Sequence, residues 1–275
     1  MLDDLRISVR SLARLKELLY TRSNINMNIY KDVYVKRRLR VRMRAKNCTD
    51  VDEYLDLAER DKDEYKRLLN ALTVNVTRFF RNKETFDNIR RIVVPEIVQN
   101  REHRGDTKIN ILSVGCSTGE EPYSVAICFL EYFKKINGRF DLRIIGTDVD
   151  KRALFYAIKG IYPPERMSGM SSNLIEDYFV KVDAGYQVTP ELKKSVLFIK
   201  KDVLKQRVHR RFDLILARNI LIYFSRRYQE MLETGFHRQL VDGGYLILGR
   251  TESLVGRGRH LFRTVSIPDR IYQKV

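Results

Sequence analysis

Residues 109–124 read Ile-Asn-Ile-Leu-Ser-Val-Gly-Cys-Ser-Thr-Gly-Glu-Glu-Pro-Tyr-Ser. A β-branched apolar run, a turn of small residues, two acids with a proline, and then a helical pattern predict a strand, a loop and a helix N-terminus. In an α/β sheet such a loop lies at the carboxyl end of a strand, where helix N–H groups and glycine backbone approach a ligand closely. Gly115 and Gly119 are expected to leave room for that ligand, and Ser117 or Thr118 to donate or cap. Glu120 and Glu121 would repel phosphate, and the Gly-Lys-Ser/Thr ending of a phosphate-binding loop is missing. The acids suit a ligand with hydroxyls, an amine or a cationic centre. An ordinary capped strand-to-helix turn uses the same residue types, so the loop alone leaves both readings open.

A chain of 275 residues can bury one sizeable core and still carry a small accessory domain. With 44% hydrophobic and 32% charged residues it reads as soluble and globular. Its first residues alternate charge and leucine, and no apolar run reaches membrane-spanning length. Neither a signal peptide nor a transmembrane helix is expected, and the cytosol is the expected compartment. Cys48, Cys116 and Cys128 are odd in number and lack metal-ligand spacing. His103, His209, His237 and His260 are scattered, so no metal site is expected. The net charge of +17 implies an acidic partner or substrate, of which nucleic acid is the commonest. Residues 1–46 alone hold 13 basic against 4 acidic residues, over half of the excess.

Leu5, Val9, Leu12, Leu15 and Leu19 recur at helical spacing, with Arg6, Arg10 and Arg14 on another face. In residues 31–46, Lys36, Arg40 and Arg44 form one i,i+4 stripe and Arg38, Arg42 and Lys46 another. Like charges so placed cost helix stability unless acids answer them, which points to a docking surface for something acidic. Two further short helices, at 50–59 and 64–72, complete a small helical bundle. Next comes Asn75-Val76-Thr77-Arg78-Phe79-Phe80-Arg81, which on local evidence is a linker whose phenylalanines plug a core, although its alternation also suits a cleft lining. A helix at 84–98 leads into the glycine loop. Residues 142–148 form a second strand ending in Asp148, the place for a carboxylate that grips ribose hydroxyls or caps the next helix; Asp150 can fill the capping role instead. A hairpin is expected at 178–188, parallel-type strands at 196–200 and 212–217, a helix at 225–240 and a turn at Asp242-Gly243-Gly244. Strands at 245–249, 261–265 and 270–274 close the chain.

Taken together, the ordered segments Asn-x-Thr-x-Phe-Phe-Arg, Gly-Cys-Ser-Thr-Gly-Glu-Glu-Pro-Tyr-Ser, Thr-Asp-Val-Asp and Arg-Asn-Ile-Leu-Ile-Tyr-Phe strongly resemble the CheR family of chemotaxis-receptor glutamate methyltransferases. The resemblance covers essentially the whole chain. It implies an α/β protein: a helical, receptor-docking domain at 1–72, a linker at 73–90 contributing to the active site, and a Rossmann-like S-adenosylmethionine methyltransferase domain at 91–275. A small antiparallel β-subdomain is inserted at about 176–192. It further implies that Asn75, Thr77 and Arg81 lie beside the cofactor, which reverses the local preference for a plain linker. Glu121, with Glu120 the alternative, would meet S-adenosylmethionine from the loop, and Asp148 would bind its ribose. Asp202 and Val203 would contact adenine, although many relatives carry Asn where Asp202 stands. Ala217, Arg218 and Asn219 would line the floor, with Tyr223 facing the transferred methyl.

The implied chemistry suits these residue types. A glutamate side chain ordinarily titrates near ~4.3 and is ionised at neutral pH, so no general base is required. Alignment can supply most of the catalysis, and Arg81 and Tyr223 are the expected catalytic residues, for positioning rather than activation. Receptor helices that are acidic at the methylated positions would dock on Lys36, Arg37, Arg38, Arg40, Arg42 and Arg44. In some members of the family the β-subdomain docks a receptor's C-terminal tail. Enzymes that methylate exocyclic base nitrogens typically carry Asn/Asp-Pro-Pro-aromatic after the fourth strand; this chain reads Arg-Asn-Ile-Leu-Ile-Tyr there, so no nucleic acid is expected. Membrane insertion is not expected either, and a monomer is.

Overall fold

Leu12, Leu15 and Leu19 face inward along α1 (Val9–Ser23), as their spacing dictates. The computed structural model describes residues 6–23, 25–72, 77–203 and 210–275, and its packing divides the chain into two units, Met1–Val74 with Tyr223–Tyr228, and Asn75–Ile222 with Gln229–Val275.

In the first unit α1 is followed by α2 (Asp32–Ala45), α3 (Val51–Arg60) and α4 (Lys62–Leu72). Asp50 caps α3 by accepting the Glu53 N–H at 2.8 Å, and Asp61 does the same for the start of α4. Leu15, Leu19, Leu39, Met43, Tyr54 and Leu55 form the centre of the core. Beside them lies Glu64, fully buried, its carboxylate accepting from Arg42 at 2.8 Å and from the Tyr54 hydroxyl at 2.7 Å, with Lys46 at 3.6 Å. Burial alone would raise the Glu64 pKa; the Arg42 and Tyr54 hydrogen bonds reverse this and hold it below the usual carboxylate range. One of the two basic stripes expected on α2 is thus answered in part by an acid of the same unit. Arg42 and Lys46 turn toward a buried acid, and the Arg38 guanidinium lies over the Tyr34 ring at 5.6 Å. Arg37 and Arg44 are exposed, and Lys36 and Arg40 are half-buried. The segment Tyr223–Tyr228 completes this unit: the Tyr223 ring packs on Tyr34 with centroids 4.6 Å apart, and the Tyr223 carbonyl accepts from the Lys31 N–H at 2.8 Å.

The second unit begins with α5 (Lys83–Asn88), a π turn (Ile89–Val93) and α6 (Val94–His103) where one helix was expected. Pro95 cannot donate to the preceding turn, and the chain widens just before it, with the Val94 N–H reaching back to Ile89. There follow β1 (Lys108–Val114), α7 (Glu120–Ile136), β2 (Asp141–Asp148), α8 (Lys151–Lys159), β3 (Ile161–Tyr162), α9 (Ser172–Tyr178), β4 (Phe179–Val182), β5 (Gly185–Val188), α10 (Pro190–Lys194) and β6 (Val196–Lys200). After these come β7 (Phe212–Ala217), α11 (Arg226–Gln239), β8 (Leu240–Leu248), α12 (Gly258–Leu261), β9 (Phe262–Ser266) and β10 (Ile271–Lys274).

The main sheet has the order β6-β2-β1-β7-β8-β10-β9, and its strands run in one direction except β10, which is antiparallel to both β8 and β9. β1, β7 and β8 are apolar on both faces because helices cover both, as a parallel sheet requires. Strand order reverses direction beside β1, which places a switch point between β1 and β7. The expected hairpin, β4 and β5, gains a third antiparallel strand, β3. The expected turn at residues 242–244 is instead part of β8. Gly243 adopts φ +76°, and the register against β7 shifts between Phe212 and Leu214, so the glycines form a bulge within the strand. Among the described residues no helix is long and apolar enough to cross a membrane.

Candidate active site

Parallel pairing brings the carboxyl ends of β6, β2, β1 and β7 to one edge of the second unit. The loop after β1 is fixed to the end of β2 by three main-chain donors. Gly115 and Cys116 N–H reach the Thr147 carbonyl at 2.8 and 3.0 Å, and the Ser117 N–H reaches Asp148 Oδ2 at 2.8 Å. Asp148 Oδ1 accepts from the Asp150 N–H at 2.9 Å. Asp150 itself caps α8 through the Arg152 and Ala153 N–H groups, which resolves the capping alternative in its favour. Burial pushes the Asp148 carboxyl up, and the N–H donors of Asp150 and Ser117 pull it back. The Lys201 N–H donates to the Asp148 carbonyl at 2.9 Å, so half-buried Asp202 and Val203 follow directly at the same edge.

Beyond β7, Ala217 is buried and Asn219 takes φ +60°. That turn is held by Glu252, which had no motif to mark it in the sequence. Its carboxylate accepts the Asn219 N–H at 2.8 Å, the Ile222 N–H at 3.1 Å and the Gly249 N–H at 2.5 Å. Burial raises its pKa, opposed by these backbone donors.

Two expectations for the glycine loop need correction. Gly115 and Gly119 do take left-handed φ values of +67° and +94°, but the space beside them is filled by protein. A Cβ at Gly115 would lie 2.6 Å from Ile220 Cδ1, and one at Gly119 would lie 2.9 Å from both Ala157 Cβ and Phe198 Cζ. The glycines therefore allow close packing of the loop on its own domain. Nor are the two acids held for a cationic ligand alone. Glu120, fully buried, accepts from Thr118 Oγ1 at 2.7 Å and from Arg166 Nη1 at 3.1 Å. Glu121 accepts from Ser113 Oγ at 2.9 Å and from Arg218 Nη1 at 3.2 Å.

Residues 77–82 are fastened to this edge and are not a plain linker. The Thr77 carbonyl accepts from Arg166 Nη1, the Phe80 N–H donates to Ser124 Oγ at 3.0 Å, and the Arg81 carbonyl accepts from Arg218 Nη2 at 2.8 Å. Phe79 packs edge-on against Tyr162 and Phe179, and Phe80 against Phe86, as the local reading of core-plugging phenylalanines expected. Phe80 and Asn82 adopt left-handed φ values of +49° and +64°, and Arg218 Nη2 also reaches Asn82 Oδ1 at 3.1 Å. The Arg218 side chain is only 1% exposed, so its main chain is the part that can line a floor.

The Arg81 carbonyl and Glu121 are thus joined through Arg218, the Thr77 carbonyl is tied through Arg166 to Glu120, and Asp148, Asp202, Val203, Ala217 and Asn219 share the same sheet edge. Asn75 lies outside the described residues. Tyr223 is grouped with the helical unit, stacked on Tyr34.

The sequence profile of the CheR methyltransferase SAM-binding domain matches residues 75–271, and that of the CheR methyltransferase all-alpha domain matches residues 10–73. The chain is 30% identical to the chemotaxis protein methyltransferase of Borreliella burgdorferi, over 92% of this chain and 91% of that one. It is 30% identical to the chemotaxis protein methyltransferase of Salmonella typhimurium, over 92% and 87%, and 29% identical to a probable chemotaxis protein methyltransferase of Rhizobium etli, over 91% and 95%. The residues present fit S-adenosylmethionine: Asp148 offers a held carboxylate at a strand end for vicinal hydroxyls, and residues 115–121 contain no lysine or arginine of the kind a phosphate-bearing nucleotide needs. The chain belongs to the CheR methyltransferase family and is an S-adenosylmethionine-dependent methyltransferase.

Proposed function

We propose that this methyltransferase acts on the side-chain carboxylates of specific glutamates in chemotaxis receptors, giving glutamate methyl esters and S-adenosylhomocysteine, and that it works in the bacterial cytoplasm as a monomer. The observation that carries this reading is the fastening of the Arg81 loop to the same sheet edge that presents Asp148. A guanidinium-bearing residue is thereby anchored beside the donor end of the fold, which suits an anionic acceptor. The relatives named as chemotaxis protein methyltransferases support the receptor as substrate.

Bound S-adenosylmethionine supplies a methyl carbon already activated by the adjacent sulfonium. Asp148 accepts from the ribose hydroxyls; Thr77, Glu121, Asp202, Val203, Ala217, Asn219 and the main chain of Arg218 form the rest of its cradle. Asn75 is assigned to that cradle on the family resemblance alone. Arg81 orients the acceptor carboxylate through charge-assisted hydrogen bonds, loosely enough to leave it nucleophilic. Tyr223 is assigned the second catalytic role, holding the carboxylate through its hydroxyl, again on the family resemblance. Because the acceptor is already ionised at neutral pH, no base is needed, and alignment accounts for most of the acceleration. The acidic receptor helices dock on Lys36, Arg37, Arg40 and Arg44, whereas Arg42 supports that helix from inside. The edge strand β4 of the small sheet is the place for a receptor tail.

Incubation with methyl-labelled S-adenosylmethionine and receptor-containing membranes tests the reading. Label in the receptor that alkali releases as methanol marks an ester on a carboxylate. Base-stable label, or label in nucleic acid and none in receptor, overturns it.

A further inference from the structure

The two acids of the glycine loop are answered by arginines far away in sequence, and each arginine goes on to a carbonyl of the loop that carries Arg81. Arg166 joins Glu120 to the Thr77 carbonyl, and Arg218 joins Glu121 to the Arg81 carbonyl. Between these two bridges Ser124, four residues past Glu120, accepts the Phe80 N–H while its own hydroxyl donates to the Glu120 carbonyl at 2.6 Å. Three of the five residues in Glu-Glu-Pro-Tyr-Ser therefore hold residues 77–82, directly or through an arginine.

We infer that Arg166 and Arg218 are positioning residues, which with Glu120 and Glu121 form two clamps that set the backbone of residues 77–82 and so aim Arg81 at the acceptor. The inference rests on the proposed acceptor role of Arg81 and goes beyond it, since neither guanidinium need touch cofactor or substrate. Three features support it. The loop holds two left-handed residues, Phe80 and Asn82, a conformation that non-glycine residues keep only where surroundings impose it. The Arg218 guanidinium is shut away from solvent, lies 5.3 Å over the Phe86 ring, and leaves its Nε buried with no hydrogen-bond partner among the described residues, an arrangement maintained by its other contacts. A planar fork is required to reach Glu121, the Arg81 carbonyl and Asn82 Oδ1 together, which a lysine ammonium cannot do.

The test compares R166Q, R218Q and R218K with the charge-neutral pairs E120Q/R166Q and E121Q/R218Q, which avoid stranding a buried carboxylate. Binding of S-adenosylhomocysteine by calorimetry shows that each variant is folded. Amide hydrogen exchange of residues 77–82 in that complex reads the clamp without any acceptor, and methyl transfer to receptor membranes reads its consequence. The expected result in every variant is exchange in 77–82 faster by at least about tenfold and kcat lower by about 100-fold, with R218K restoring neither; in R166Q and E120Q/R166Q, whose residues lie outside the assigned cradle, cofactor affinity is expected to stay within about fivefold of the parent. Unchanged exchange in the neutral pairs, or cofactor affinity of the Arg166 variants falling as far as kcat, overturns the inference. If the parent proves not to methylate receptor carboxylates, the proposed function fails, while the exchange and affinity measurements still decide the clamps.

Discussion

Asp148, at the end of one strand, accepts the main-chain N–H of Ser117, in the loop after the neighbouring strand, at 2.8 Å. The same carboxylate that is assigned to the ribose therefore also sets the shape of the glycine loop. Asp148→Asn removes the charge and turns one oxygen into a donor. It is expected to weaken S-adenosylhomocysteine binding by about 10- to 100-fold, the equivalent of one lost charge-assisted hydrogen bond. Calorimetry on the folded variant measures it.

Arg81→Ala separates acceptor positioning from cofactor binding. Its carbonyl contact to Arg218 survives the substitution, so the loop should keep its path. Turnover on receptor is expected to fall by about 100-fold or more, with cofactor affinity changed by less than about tenfold. Equal losses in kcat and affinity would assign Arg81 to the cofactor.

Glu233, on the inner side of α11, is fully buried and accepts the Val255 N–H at 3.0 Å; burial pushes its carboxyl up to about 7. The folded state then holds a proton that the unfolded chain releases near its ordinary value. The resulting stability is fully present below that ordinary value and is lost as pH rises through about 7. Between pH ~4.5 and ~7 the chain should lose on the order of 2–3 kcal/mol from this group alone. Thermal melts of the parent and of Glu233→Gln across that range should differ in slope, the variant being the flatter.

The basic residues of α2 should divide into two classes. Arg42→Ala leaves the Glu64 carboxylate buried with fewer partners and is expected to destabilise the helical unit by about 3 kcal/mol, seen in its unfolding midpoint. Arg37→Glu and Arg44→Glu, at exposed positions, should leave that midpoint nearly unchanged and weaken receptor binding by about 3- to 10-fold each at low salt. Titration against receptor fragments at two ionic strengths measures the second effect.

What the sequence made legible was local or periodic. The strand-loop-helix at residues 109–124, the acid ending β2, the Asp150 cap and the four-helix start all follow from patterns within a few residues. What it hid depended on distance along the chain. Arg166 and Arg218 stand 46 and 97 residues from the acids they answer, so nothing near Glu120 or Glu121 announced that their charges were already matched. Glu252 carries no motif, and its value lies in backbone N–H groups that converge only after folding. The two residues of β3 are too few to show a period, and a Gly-Gly pair reads as a turn whether it ends a strand or bulges one.

The short strand β3 and the turn after it have a consequence for how this protein can be altered. Tyr162 donates its hydroxyl to the Thr118 carbonyl at 2.7 Å and packs against Phe79, and Arg166 lies four residues further on. The small sheet is therefore not a detachable cassette: its root, at residues 161–167, is shared with the glycine loop. Exchange of recognition specificity between relatives, in evolution or by grafting, has to be confined to the outer part of the hairpin. Even there, Gly185 is fixed, because a Cβ at that position would sit 2.2 Å from the Tyr162 carbonyl oxygen. Freedom to diversify is left to the solvent-facing positions of β4, such as Val180 and Lys181, where new side chains can be presented without disturbing the donor end of the fold.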